Sequence, residues 1–209
     1  MKYYIFTALV CLNLLGCSNE SASPSEKLTL DVATKNARNS MVPSTEIRNI
    51  VRENGWQDTS SVNIYKVRYN YELTLTEDLP QAILELAKNY EKEVKGNLET
   101  FDTEKIAHLD PRQMSYLQLM LNSSEWANNQ KNFPERRDIF LTKCDQCMAY
   151  WNSDVGGEDA TRLRRFSYMQ AWSYFESAGF KDDSKKGDAA LWNTTTSFMK
   201  TENGWVEAN

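Results

Sequence analysis

In the stretch from Val62 to Thr76 apolar and polar positions alternate strictly from Tyr65 onward. Tyr65, Val67, Tyr69, Tyr71, Leu73 and Leu75 stand at odd numbers; Lys66, Arg68, Asn70, Glu72, Thr74 and Thr76 stand at even ones. Successive side chains of a strand point to opposite faces, so this pattern predicts a half-buried antiparallel strand rich in aromatic and β-branched residues. It is long for a strand, which places it at the centre of a curved sheet or in the arm of a long hairpin. Elsewhere the period changes to 3.6. Asp78 and Pro80 read as a helix start, with Ile83, Leu86, Ala87, Tyr90 and Val94 on one face and a stop at Gly96-Asn97. Asp110-Pro111 opens a second helix with Met114, Leu117 and Leu121 on one face. Pro134 opens a third that runs to about Trp151. A fourth starts near Asp159 and ends at Gly179. Its apolar residues Leu163, Phe166, Tyr168, Met169, Trp172 and Phe175 spread around most of the surface, so it is expected to lie centrally among the others.

The segment from Leu28 to Arg52 is ambiguous. Pro43-Ser44-Thr45-Glu46 reads as a helix start, with Ile47, Ile50 and Val51 as a short apolar face and a stop at Asn54-Gly55. A strand turning at the same Asn-Gly pair is the alternative. At the other end, Lys181 to Asp188 is charged and reads as a solvated loop. Ala189 to Lys200 reads as a strand, Thr201-Glu202-Asn203-Gly204 as a turn, and Trp205-Val206 as the closing strand. The fold class that follows is α+β: a small antiparallel sheet from the N-terminal third and the C-terminal end, with an inserted block of about four helices.

The first residues carry a different pattern. Met1-Lys2 is a short basic start, and Tyr3 to Leu15 is an almost wholly apolar run. It has the length of a signal-peptide core and is too short for a bilayer, which needs about 20 apolar residues. Its ending, Leu14-Leu15-Gly16-Cys17, resembles the lipobox of bacterial lipoproteins. That resemblance implies cleavage before Cys17, acyl chains on Cys17, and a membrane anchor without a span. Ser18, in place of an Asp, implies the outer membrane facing the periplasm in a Gram-negative cell. One acyl chain binds marginally and stable anchoring takes two signals, which two or three chains on one cysteine supply. Residues 1–16 are therefore expected as a cleaved signal peptide, 17–27 (Ser-rich, with one Pro) as a flexible tether, and 28–209 as a single globular domain.

Removal of sixteen of 209 residues leaves 193, enough for one domain with a core. One of the 24 basic residues goes with them, so 23 basic face 29 acidic residues, a net charge of −6. That acidity argues against nucleic acid and against a polybasic membrane patch, and mildly favours a basic protein partner. Cys11 is lost with the signal peptide, and Cys17 is consumed by the lipid. Only Cys144 and Cys147 remain as thiols in an oxidising compartment.

Cys144-Asp145-Gln146-Cys147 is the motif with possible chemistry. Met148 follows where c-type haem attachment needs His, and one His with two thiols does not make a closed zinc site. Phe140, Cys144, Cys147 and Trp151 share a helical spacing, which places the pair inside the third helix and on its core side. A redox pair belongs instead at a helix N-terminus. Helical i,i+3 Cβ atoms lie about 5–6 Å apart, whereas a disulfide needs about 3.8 Å. Either the helix is distorted or ends near Cys144, or the thiols stay reduced and buried. A structural disulfide is the first reading, with buried free thiols and a redox or metal role as alternatives.

His108 precedes a helix start and has no nucleophile setting around it, so it reads as a helix-entry or surface residue. Asp182-Asp183 reads as solvated. Arg162, Arg164 and Arg165 open the fourth helix, where they oppose its dipole, and read as surface salt bridges with acidic neighbours from elsewhere. No Gly-rich phosphate loop is present. No catalytic, cofactor-binding or metal-binding residue is singled out. The wording Phe198-Met199-Lys200-Thr201-Glu202-Asn203-Gly204-Trp205 loosely resembles the closing hairpin of cystatin-like and NTF2-like periplasmic domains. The functional expectation is a non-enzymatic, membrane-tethered envelope protein that binds a protein partner, as an accessory subunit or an immunity-type inhibitor. The alternative is an envelope enzyme acting on cell-wall material through carboxylates that spacing alone does not reveal.

Overall fold

The computed structural model describes residues 21–98 and 111–208, apart from the side chains of 96–98 and 111–117. Cys11, Cys17 and His108 lie outside the described residues. The chain order is α1 (Glu26–Asn39), β1 (Thr45–Gln57), β2 (Ile64–Leu75), α2 (Leu79–Leu98), α3 (Pro111–Asn129), α4 (Phe133–Leu141), α5 (Asp145–Asn152), α6 (Gly157–Ser177), β3 (Ala189–Thr201) and β4 (Gly204–Glu207). The strands form one antiparallel sheet in the order β1-β2-β3-β4, with the helical block between β2 and β3. The fold is α+β, as the alternation in β2 requires. That block holds five described helices rather than four, because the stretch expected as one helix from Pro134 to Trp151 breaks between Leu141 and Asp145.

β2 is both the arm of a hairpin and an interior strand, paired with β1 on one side and β3 on the other. Its odd side chains face inward. Val67 and Tyr69, fully buried, meet Ala33 of α1 and Phe198 of β3. Further along the same face, Leu73 and Leu75 join Ile83, Leu86, Phe140, Tyr168, Trp172 and Phe175 in the main core. α1 and the helical block thus share one face of the sheet. Most even positions of β2 turn away from both, and Arg68 is exposed on that side with Leu191, Asn193 and Thr195 of β3; Thr74, near the end of β2, is buried.

β1 corrects the reading of 43–55 as a helix. The spacing of Ile47 and Ile50 comes from a β-bulge. Arg48 pairs with Glu72 and Val51 with Asn70, so β1 spends one residue more than β2 across this step. Asn49 takes the left-handed conformation there, with φ 51°. The extra residue moves the next inward side chain from position 49 to position 50, which copies a helical i,i+3 pattern. A second register shift follows between Arg52 and Asn54. The strand then runs through Asn54-Gly55 without turning, and Gly55 is required by crowding. A Cβ there would lie 2.8 Å from a ring carbon of Tyr65. The chain turns instead over residues 58–63, where Asp58 donates its N–H to the Ile64 carbonyl at 2.8 Å.

Two further expectations change. α1 begins at Glu26, with the Ser25 hydroxyl accepting the Leu28 N–H at 3.3 Å, so the last two residues expected in the tether are helical. Leu121, expected on the apolar face of the second helix, is 62% exposed. α6 lies centrally, as its all-round apolar surface predicts, with Leu163, Tyr168, Met169, Ala171, Trp172 and Phe175 buried.

Candidate functional site

The break in the third predicted helix builds the site. α4 ends at Leu141, and the chain turns through Lys143, whose N–H meets the Phe140 carbonyl at 3.1 Å. Cys144 is extended (φ −151°, ψ 106°) and is the N-cap of α5. Its sulfur accepts the Cys147 backbone N–H at 3.1 Å. The two sulfurs are at bonding distance, 2.16 Å, with Cα atoms 5.2 Å apart. Ending the helix at Leu141 thereby removes the geometric conflict of an i,i+3 pair inside a continuous helix. The motif does not lie within a helix but at the N-terminus of one. The core stripe is kept by Phe140, Cys147 and Trp151, all buried, while Cys144 is only half-buried.

Cys144 opens onto a cleft of about 660 Å³. One wall is the start of α2, where Gln81 Oε1 stands 3.7 Å from the Cys144 sulfur. Behind it the Cys147 sulfur lies 3.2 Å from the Pro80 carbonyl oxygen. The opposite wall is the 181–188 loop. This loop is bound on several sides rather than free in solvent. Leu79 N–H donates to the Ser184 carbonyl at 3.1 Å, Gly187 N–H to the Leu75 carbonyl at 2.8 Å, and Lys186 N–H to the Asp78 carboxylate at 3.0 Å.

Asp182 is the second correction here. It is part-buried and accepts two guanidinium bonds from Arg136, from Nε at 2.8 Å and Nη2 at 2.7 Å, plus the Trp172 indole N–H at 3.2 Å. Arg136 also reaches Gln130 (2.6 Å) and Glu176 (3.1 Å), with its guanidinium 4.8 Å over the Trp172 ring. Burial works to raise the Asp182 carboxyl, but the hydrogen bonds and charge of Arg136, with help from Trp172 and Lys143, hold it below the usual carboxylate range. For Arg136, the bonds it donates to Asp182 outweigh burial and raise its pKa. Asp183, by contrast, is exposed. Because the folded-state pKa of Asp182 is depressed, its contribution to stability is complete above the unfolded value of about 3.9 and is lost as pH falls through the folded value. Asp182→Asn is therefore expected to lower the melting temperature at pH 6 and to flatten its fall below pH 4. Thermal melts of both proteins from pH 6 to pH 2 test this, and parallel curves would refute it.

The arginine cluster at the start of α6 divides into three fates. Arg162 is exposed and pairs with Glu158 of its own helix. Arg165 lies over Trp151, 5.7 Å from the ring centroid. Arg164 is buried, 3.8 Å from Glu91, and donates to the carbonyls of Ser153 and Val155 at 2.8 and 2.7 Å. Glu91 in turn accepts the Tyr150 hydroxyl at 2.7 Å, and burial with this carboxylate raises the tyrosine pKa. The Arg136 and Arg164 networks join residues 40 or more positions apart, and no local spacing announces either. Among the described residues, no group of three His, Cys, Asp or Glu side chains is placed to hold a metal ion.

No family model, curated protein or solved structure matches the chain.

Proposed function

We propose that the chain is a lipid-anchored envelope protein that binds a protein partner on the open face of its sheet. The observation that carries this reading is the one-sided packing of the sheet. On the face turned away from α1 and the helical block stand Val51, Leu191, Met199 and Val206, which are 59%, 72%, 42% and 41% exposed. Beside them Arg68 lies over Trp56, 5.6 Å from the ring centroid. Glu46, Glu53, Glu72, Arg48 and Lys66 supply polar contacts of both signs. Exposed apolar side chains grouped with Trp and Arg and edged by charge are the composition of a protein–protein contact.

The anchor fits the same layout. The Ser21 carbonyl accepts the Trp205 indole N–H at 3.0 Å, at the β3–β4 hairpin. Cys17 is four residues earlier, a reach of at most about 14 Å. The hairpin end then faces the membrane. The Cys144 cleft lies beyond the other end of β2, a strand whose 12 residues rise roughly 40 Å. No described helix is long and apolar enough to cross a membrane.

Two experiments test the reading separately. Cys17→Ser should abolish acyl labelling and release the protein from membranes; unchanged membrane retention would refute the anchor. A photo-crosslinker placed in cells at Leu191 or Val206 should give one discrete adduct, and a crosslinker at Lys92 of α2 should give none. Val51→Glu with Leu191→Glu should remove that adduct while the circular dichroism spectrum is unchanged. Equal labelling from Lys92, or an adduct indifferent to the two glutamates, would refute the sheet face as the contact.

A further inference from the structure

We propose that Cys144 and Cys147 form a redox-active pair that exchanges electrons with a cysteine pair of another protein at the cleft. The first argument is placement. Cys144 is the N-cap of α5, and its sulfur accepts the Cys147 N–H, so a thiolate there is held by the helix N-terminus. The second is asymmetry. Cys147 is 0% exposed, whereas Cys144 is half-buried on the cleft wall, so an incoming sulfur reaches Cys144 alone. The third is that the reduced state is provided for. A Cys147 thiol has the Pro80 carbonyl oxygen at 3.2 Å as its acceptor, and a Cys144 thiolate has the Cys147 amide. The fourth concerns stability. A bridge across a sequence separation of three constrains the unfolded chain very little, so a cross-linking role alone gives the pair slight advantage. The cleft itself is large enough for a peptide segment and is lined by Asp78, Gln81, Lys143, Asp145 and residues 182–185, so carboxylates and lysines both face it.

A thiolate of the partner's dithiol attacks the Cys144 sulfur. The Cys144–Cys147 bond breaks, its electron pair goes to the Cys147 sulfur, and that sulfur takes the proton released by the partner's thiol. The partner's second thiol gives its proton to water and, as the thiolate, attacks the partner sulfur of the mixed disulfide. That closes the partner's disulfide and releases Cys144 as a thiolate. The partner loses two electrons and the Cys144–Cys147 pair gains them. Stabilisation of the Cys144 thiolate favours this direction, because a disulfide whose reduced form is stabilised is an oxidant.

The test uses the purified mature chain, read residue by residue through fragment masses so that the state of Cys17 does not enter. In the reduced protein, alkylation of Cys144 by iodoacetamide should reach half its maximal rate well below the ordinary thiol value of about pH 8.5. At pH 7 it should outrun Cys147 by at least about tenfold. One equivalent of the oxidised protein should convert a model peptide bearing two cysteines to its disulfide. Cys147→Ser should accumulate a mixed disulfide with the oxidised peptide, and Cys144→Ser should form none. Half-maximal alkylation of Cys144 at the ordinary thiol pH, no oxidation of the peptide, or equal trapping by Cys144→Ser would overturn the proposal. The first two readings use the unmodified sequence, so misfolding of a variant does not decide the result.

Discussion

Trp172→Ala is expected to destabilise the domain by about 3–5 kcal/mol, the usual cost of emptying a large aromatic site. Trp172 is 1% exposed and packs its ring against aromatic residues of α3, α4 and its own helix. It stacks on Phe140 of α4 with ring centroids 4.2 Å apart. It meets Trp126 of α3 at 5.5 Å and Tyr168 of its own helix at 6.4 Å. The Arg136 guanidinium lies over it, and its indole N–H holds Asp182. The substitution therefore opens a cavity, removes the seat of Arg136 and leaves one bond fewer on the cleft wall. The melting temperature should fall by roughly 10 °C for a domain of this size. Urea titration followed by circular dichroism measures the loss. Trp172→Phe serves as the comparison. It keeps an aromatic ring against Phe140 but deletes the donor to Asp182, so its loss should be clearly smaller. Equal losses from both substitutions would show that the packing argument is wrong.

Arg164→Met is expected to have the next largest effect, about 3 kcal/mol. The guanidinium sits where α6, α2 and the α5–α6 connection meet, with its side chain 7% exposed. Its removal takes one donor from the Ser153 carbonyl, which the Thr161 hydroxyl still reaches at 3.2 Å, and the guanidinium bond from the Val155 carbonyl. It also deprives Glu91, whose side chain is 11% exposed, of a cationic neighbour, while Lys95 remains. The pair is not itself a large source of stability, because both charges lose water on folding. Its loss is costly because the carboxylate stays behind. Glu91→Leu combined with Arg164→Met should therefore be less destabilised than the sum of the two single variants. A double-mutant cycle by urea titration measures that coupling. Strict additivity would mean that the two side chains do not act on each other.

The two networks also explain which side-chain roles were legible. α6 begins at Gly157 with Glu158 and Asp159 in its first turn, and Arg162 pairs within its own helix. The expectation of acidic neighbours from elsewhere nevertheless holds for Arg164, which meets Glu91. That expectation does not say which of Arg162, Arg164 and Arg165 goes inside. Asp182 in Lys-Asp-Asp-Ser-Lys-Lys reads as solvated because its sequence neighbours are charged. Its actual partners, Arg136 and Trp172, lie 46 and 10 residues away.

What the sequence determined by itself is whatever one face of one element reports. The alternation from Tyr65 to Leu75 specifies a strand and its buried side. The all-round apolar surface of α6 specifies a central helix, and Thr201 to Gly204 specifies the last turn. Each is a local periodicity, set by the geometry of a single strand, helix or turn. Only the tertiary structure decided the rest. Ile47 and Ile50 share a face because pairing with β2 forces a bulge at Asn49, so a strand carries a helical spacing. The Cys144–Cys147 pair looks like part of a core stripe because Phe140 and Trp151 continue it. Packing of the block and the turn at Lys143 instead end α4, make Cys144 an N-cap and leave its sulfur at the cleft. Which face of the sheet stays open is likewise decided by where α1 and α2–α6 pack. Those outcomes depend on contacts between residues far apart in the chain, and such contacts leave no period in the sequence.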